Sequence, residues 1–234
     1  MQRYCLWARW NEVVRICSDL AKPYLFKYSA NHARKGLDKL LQAYKAVEEQ
    51  TEDSFLIIHS QPNGYYSLEK HAKKLKIERL WLTKLFGRIT TVEVNALYKA
   101  CTVYVQPCFS EGFGLPILEA FRFDKPAIAV NAPPFNEVIK HTETGILVPP
   151  DAIRWFNFKN LIDFKMHTYR TEDLAHTIVQ CVTDRKLLAS MESKIGTDRI
   201  YLCHCTGVKA TTQLRKVFGK SCNPVHAGDT IELG

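Results

Sequence analysis

The stretch TVYVQPCFSEGFGLPILEAF, residues 102–121, decides how this chain folds. TVYVQP is a short apolar run of β-branched and aromatic residues, the composition of a buried strand, and it stops at Pro107. LPILEAF is helical in pattern, with Pro116 in the first turn, where a missing N–H costs nothing. CFSEGFG must carry the chain from strand end to helix start, and Gly112 and Gly114 are expected to supply turns that other residues resist. The exposed N–H groups of residues 112–115 would then form a seat for an anion, helped by the positive end of the helix dipole. Strand, glycine loop and helix in that order make the first part of a βαβ unit.

The same alternation extends in both directions. YLFKYSA (24–30), SFLIIHS (54–60), LWLTKLF (80–86), PAIAV (126–130) and TGILV (144–148) are further candidate strands. Helical patterns fall between them. In GLDKLLQAYKAV the residues Leu37, Leu40, Leu41, Tyr44 and Val47 share one face at the 3.6 period, which makes that face core. Thr90 with Glu93 three residues on reads as a capping box opening a helix to about Ala100. Residues from Tyr24 to Val148 therefore predict an α/β domain with a doubly wound, Rossmann-like parallel sheet and helices on both faces. Ligands of such sheets bind outside the carboxyl ends of the strands.

The expected organisation is an N-terminal helical segment over 1–22, a Rossmann-like domain over 23–218 and a C-terminal tail over 219–234. Within the domain AIRWFNFKNLIDFKMHTYR breaks the pattern. It reads as an inserted loop over about 151–170, whose Trp155, Phe156, Phe158 and Phe164 are expected to pack beneath the sheet edge or else to line a binding surface. Trp7, Arg9, Trp10 and Arg15 give the first segment an aromatic and basic character. That suits packing on its own domain, or contact with a neighbouring domain, a partner or a membrane surface.

Composition narrows the function classes. A 234-residue chain that is 46% hydrophobic and 24% charged can bury a core without staples. Its eight cysteines are scattered without zinc or disulfide spacing, which predicts a reducing, cytoplasmic setting. Cys203 and Cys205 flank His204, but these ligands do not complete a tetrahedral metal site. Neither a signal peptide nor the roughly 20 apolar residues of a membrane span is present. The net charge of +8 favours anionic partners. No run of basic residues and no zinc-finger, RNP or helix-turn-helix pattern accompanies it, so nucleic acid is not the expected partner.

Two carboxylates, Glu111 and Glu119, flank the anion seat. They would repel a bare phosphate, so each is expected to bind something neutral and rich in donors, such as sugar hydroxyls. The spacing then suits a nucleotide sugar, with hydroxyls at both ends and a diphosphate between. The plainer use of Glu111 and Glu119, as a helix-start charge and a solvated helical residue, would hold for an isolated pair. Here SEGFGLPILEAF is followed by KPAIAV, PPFNEVI and TGILVPPD. Together they resemble the C-terminal, donor-binding domain of the retaining GT-B glycosyltransferases of the group 1 type.

That resemblance implies roles. Glu111 would contact the donor hexose and support reaction at the anomeric carbon, and Glu119 would hold the ribose. Gly112, Phe113, Gly114 and Leu115 would meet sugar and diphosphate, and Lys35 in HARKGLDKLL would neutralise the diphosphate. The backbone near Arg88 and Ile89 in FGRIT would touch the nucleobase. The family's arginine six residues before that lysine is Ser29 here, which weakens phosphate neutralisation unless Arg34 or another basic residue substitutes. Asp124 stands where the family often has glycine, and Asp tolerates the left-handed conformation that this implies. Glu137 in FNEVI matches a frequent family residue and suits a structural helix charge.

No metal or other cofactor is required by these residues, since the nucleotide sugar is itself the donor substrate. A GT-B enzyme has an acceptor-binding domain before the donor domain, and domains run to ~100–200 residues, whereas about twenty precede this one. The expectation is thus a donor half: a fragment of a longer reading frame, a subunit meeting its other half in trans, or a non-catalytic nucleotide-sugar-binding module. A dinucleotide-binding oxidoreductase is the poorer alternative, because KYSANHARKG lacks the glycine fingerprint.

Overall fold

Six apolar runs of the sequence become the six strands of one parallel sheet. The structure is a computed structural model and describes residues 22–83, 90–158, 162–195, 200–202, 212 and 222–224. The strands are β1 Tyr24–Tyr28, β2 Phe55–His59, β3 Leu80–Thr83, β4 Val103–Gln106, β5 Ala127–Val130 and β6 Gly145–Val148. Their order is β3-β2-β1-β4-β5-β6. All neighbours run parallel, with Phe26 level with Ile57 on one side and Tyr104 on the other. Strands buried on both faces carry continuous apolar runs, which is why they stand out in the sequence. β1 and β4 lie side by side although a long stretch of chain separates them. The strand order reverses there, at the point where open α/β sheets form their crevice.

The helices are α1 Leu37–Gln50, α2 Leu68–Lys74, α3 Thr91–Ala100, α4 Leu115–Phe121, α5 Phe135–Val138, α6 Thr171–Thr183 and α7 Arg185–Lys194. The expected core face of α1 is buried throughout: Leu37, Leu40, Leu41, Tyr44 and Val47 are all fully shielded. The opposite ends of α3 differ in origin. Its start is the capping box read from the sequence, with Thr90 Oγ1 accepting from the Glu93 N–H and Glu93 Oε2 accepting from the Thr90 N–H. Its last turn is anchored by Leu97 and Tyr98, both buried. Asp124 has φ 56°, the left-handed conformation expected of it.

One expectation needs correction. The segment after Pro150 is a regular antiparallel ribbon, β7 Ala152–Phe158 paired with β8 Ile162–Thr168, and not an irregular loop. Trp155 and Phe156 do not pack beneath the sheet edge, being 70% and 41% exposed, and the side chains of Phe158 and Phe164 lie outside the described residues. A two-stranded ribbon has no second layer to bury either face. Aromatic and basic residues occupy both faces, so the period-2 alternation that would have announced strands is absent.

The chain divides into two compact units, Met1–Ile195 and Gly196–Gly234. In the second, Ile200–Leu202 and Cys222–Pro224 form a parallel two-stranded pair, β9 and β10. Residues 1–21 of the helical segment expected over 1–22, the cysteines flanking His204, and Arg88 and Ile89 lie outside the described residues. Among the described residues no helix is long and apolar enough to cross a membrane, and no cluster of His, Cys, Asp and Glu has metal-binding form.

Candidate functional site

The loops after β1 and β4 are tied together by their backbones. A short 3-10 turn, Ala33–Lys35, ends at Gly36 with φ 60°. A Cβ at Gly36 would lie 2.0 Å from the Pro107 carbonyl oxygen, so this position admits only glycine on two counts. With the chains this close, the Phe109 N–H donates to the Arg34 carbonyl at 2.9 Å. Arg34 Nη1 donates to the Ser110 carbonyl at 2.8 Å. Tyr169 is buried behind the same corner and donates its hydroxyl to Pro107 O at 2.6 Å. The ribbon's base is joined there too, through the His167 N–H to Phe109 O at 2.8 Å. On the other side Asn31 binds the loop after β2, its amide donating to Gln61 O at 3.0 Å and Tyr66 O at 2.7 Å.

This bracing sets Glu111 between two cations. Glu111 Oε2 accepts from Arg34 Nη1 at 2.9 Å, and Oε1 accepts from Lys35 Nζ. Burial by itself would raise the Glu111 carboxyl. The Lys35 ammonium and Arg34 guanidinium outweigh it and hold the group below its ordinary value. The carboxylate is therefore charged and over-neutralised, which removes the repulsion that a lone Glu111 would offer a phosphate.

Glu119 sits on α4, two turns along. Its Oε2 accepts from the buried Tyr98 hydroxyl of α3 at 2.7 Å. Burial raises its carboxyl above the ordinary value, and the Tyr98 hydrogen bond opposes the rise without cancelling it. Between the two carboxylates run Gly112 to Leu115. Gly114 has φ 82° and forms the N-cap of α4 without a side-chain hydrogen bond. Gly112 does not adopt a left-handed conformation, contrary to expectation. A Cβ there would meet nothing within 4 Å, so its smallness leaves open space beside the loop.

The family pattern of the group 1 glycosyl transferases matches residues 10–167. The chain belongs to that family. This group 1 glycosyl transferase is 32% identical over 124 residues to O-antigen chain mannosyltransferase B of Escherichia coli, covering 51% of this chain and 31% of that protein. It is 31% identical over 148 residues to a trehalose synthase of Pyrococcus horikoshii, covering 58% of this chain and 35% of that one. The chain thus spans about a third of the length of these curated relatives. Solved structures share the fold. The C-terminal domain of LpcC from Francisella tularensis superposes with a TM-score of 0.59 at 19% identity, covering 77% of this chain and 87% of that domain. Anabaena HepE, solved with UDP and glucose, gives 0.59 at 18%, covering 83% and 49%. The six-stranded parallel sheet of this glycosyl transferase is accordingly one half of a GT-B architecture.

Of the residues singled out from the sequence, the fold brings Lys35, Glu111, Gly112, Phe113, Gly114, Leu115 and Glu119 to the loop region at the carboxyl ends of β1 and β4. Arg34, considered there as a substitute for the arginine missing at Ser29, joins them directly. Three further residues were missed. Tyr98 reaches Glu119 from another helix, a meeting that no local pattern announces. Cys108, buried at the strand end, lies 3.6 Å by its Sγ from Glu111 Oε1. Lys27 in YLFKY is fully buried on the central strand. A charged residue inside an apolar parallel strand is a legible signal, since an unpaired buried charge is costly. A cavity lined by Pro23, Gln50, Thr51, Glu52, Asp53, Ser54, Val182, Thr183 and Arg185 lies at the amino ends of β1 and β2, away from these groups.

Proposed function

We propose that this chain is the donor-binding half of a glycosyltransferase, holding a nucleotide-diphosphate sugar in the crevice between the loops after β1 and β4. The observation that carries the reading is the carboxylate Glu111 clasped by Lys35 and Arg34, eight residues before the buried carboxylate Glu119. Two cations on one carboxylate leave a surplus positive charge at the Gly112–Leu115 loop, where a diphosphate brings the balancing anion. Lys35 is a point charge suited to a phosphate oxygen, and Arg34 keeps hold of Glu111 when Lys35 turns to the ligand. Glu111 then accepts from hexose hydroxyls and Glu119 from the ribose. The segment containing Arg88 and Ile89 is assigned to the nucleobase on the family resemblance.

In transfer, the bond between the anomeric carbon and the diphosphate oxygen breaks, an acceptor hydroxyl bonds to that carbon and gives up its proton, and negative charge grows on the departing diphosphate oxygen. Lys35 and the loop amides stabilise that charge more strongly as it develops. Transfer of a hexosyl group with retained anomeric configuration follows from the family resemblance. The acceptor and its binding domain belong to the same proposal. So does a cytoplasmic site of action, with peripheral membrane contact.

Calorimetry with UDP-glucose, GDP-mannose and ADP-glucose tests the reading. Saturable binding of one of them, weakened about tenfold or more in Lys35→Met, is the expected outcome. A folded sample giving no heat with any of the three contradicts it. A second reading is a nucleotide-sugar-binding subunit without turnover. Product formation by the isolated chain with sugar, lipid and protein acceptors separates the two.

A further inference from the structure

Lys27 lies on β1, wholly shielded from solvent, and its ammonium has no carboxylate among its contacts within the described residues. It donates to Gln106 Oε1, to the Tyr104 hydroxyl at 3.2 Å and to Cys108 Sγ at 3.8 Å. Cys108 Sγ in turn lies 3.6 Å from Glu111 Oε1, which also receives Lys35. One hydrogen-bonded cluster thus contains Lys27, Arg34 and Lys35 around a single carboxylate, and two positive charges remain uncompensated within it. That surplus matches the charge of a diphosphate diester. A lysine kept only for packing would be replaced at lower cost by an apolar side chain of similar shape. Nearby, Ser29 Oγ, Ser60 Oγ and Gln106 Nε2 are buried without a hydrogen-bond partner at the carboxyl ends of β1, β2 and β4. Groups left unpaired at a strand-end crevice point to a ligand that is polar.

We infer that Lys27 is a positioning residue of the donor site, a buried cation that offsets diphosphate charge from beneath Cys108 and Glu111. It stands two residues before Ser29 on the same side of β1, beneath the strand end. This inference rests on the donor-site reading above.

The inference has a pH signature. Burial lowers the Lys27 ammonium to about 8, with Cys108 and Glu111 opposing the fall and Lys35 adding to it. From β4 and the loop after it, burial raises Tyr104 and Cys108 while Glu111 is lowered. From the flanking elements, burial raises Tyr28, Tyr98 and Tyr169, lowers His59 to about 4 and raises the Glu119 carboxyl. Arg34 and Lys35 complete the charged set beside Glu111, and Asp38 contacts Tyr66. A ligand that favours the charged form of Lys27 binds tightly below about pH 8 and loses affinity above it.

The experiment titrates UDP-glucose, GDP-mannose and ADP-glucose into the full chain by calorimetry from about pH 6.5 to about pH 9.5, beside Lys27→Met and Lys27→Arg. The ratio of wild-type to variant affinity is read, which cancels titration of the nucleotide base. For the sugar nucleotide that binds, wild-type affinity is expected to fall several-fold across about pH 8. Lys27→Met should bind about tenfold more weakly at neutral pH, without that fall. Lys27→Arg, charged throughout, should keep its affinity with a flat profile. Wild-type affinity and an unchanged pH step in Lys27→Met overturn the inference. If that variant fails to fold, a persisting step in Lys27→Arg does so. Wild-type protein binding none of the three would instead sink the donor-site reading itself.

Discussion

At Glu111 desolvation and two cations oppose each other, and the cations prevail. A carboxyl whose folded value lies below its unfolded one stabilises the fold above the unfolded value of about 4.5, and that contribution is lost as pH falls through the folded value. Urea midpoints followed from about pH 6 to about pH 3 should therefore decline, and Lys35→Met should make the decline shallower. Equal slopes in the two proteins would show that the Lys35 contact contributes nothing to the low value. Glu119 invites a paired test. Its replacement by Ala strands the buried Tyr98 hydroxyl, so stability should drop by about 1–3 kcal/mol together with donor affinity. Glu119→Gln keeps an acceptor for Tyr98, so stability should largely return while affinity for the nucleotide sugar stays reduced. Full affinity in Glu119→Gln would argue against a carboxylate on the ribose.

Among the elements, the corner of Gly36 against Pro107 holds the two halves of the site in register. Gly36→Ala meets both a left-handed φ of 60° and a carbonyl oxygen 2.0 Å from the new Cβ. A loss of roughly 2 kcal/mol or more in chemical denaturation is expected. Thr90→Ala removes a helix cap and should cost about 1 kcal/mol in chemical denaturation. How far these elements were legible depends on where their information lies. β1 to β6, the buried face of α1 and the Thr90–Glu93 cap are written locally, as apolar runs, a 3.6 period and a spacing of three residues. The ribbon β7–β8 was hidden because residues such as Arg154, Trp155 and Phe156 put no consistent polarity on either face. At the site, Glu111 and Glu119 were legible through their glycine loop. The Arg34–Glu111 and Tyr98–Glu119 contacts join residues 77 and 21 positions apart, so only the folded sheet brings them together. Lys27 was visible in YLFKY as a charge among apolar residues, yet its meaning depends on Gln106 and Cys108 from a neighbouring strand and loop.

The molecule as a whole carries +8, and its loops after β1 and β4 set two cations around one carboxylate. An anionic ligand should accordingly bind less tightly as salt rises from about 0.05 M to about 0.5 M, since screening shortens the reach of the surrounding charges. The crevice stands at the β1–β4 switch point of a sheet shared with solved GT-B glycosyltransferases, and the proposed site draws on side chains from four separate segments. Arg34 and Lys35 come from the turn after β1, Glu111 from the loop after β4, Tyr98 from α3 and Glu119 from α4. A crystal structure of the chain soaked with UDP-glucose, GDP-mannose or ADP-glucose would examine all of them at once. The expected result is a diphosphate against Lys35 and residues 112–115, with the hexose on Glu111 and the ribose on Glu119. A nucleotide sugar bound elsewhere on the sheet, with Lys35 and Glu111 still clasped and untouched, would contradict it.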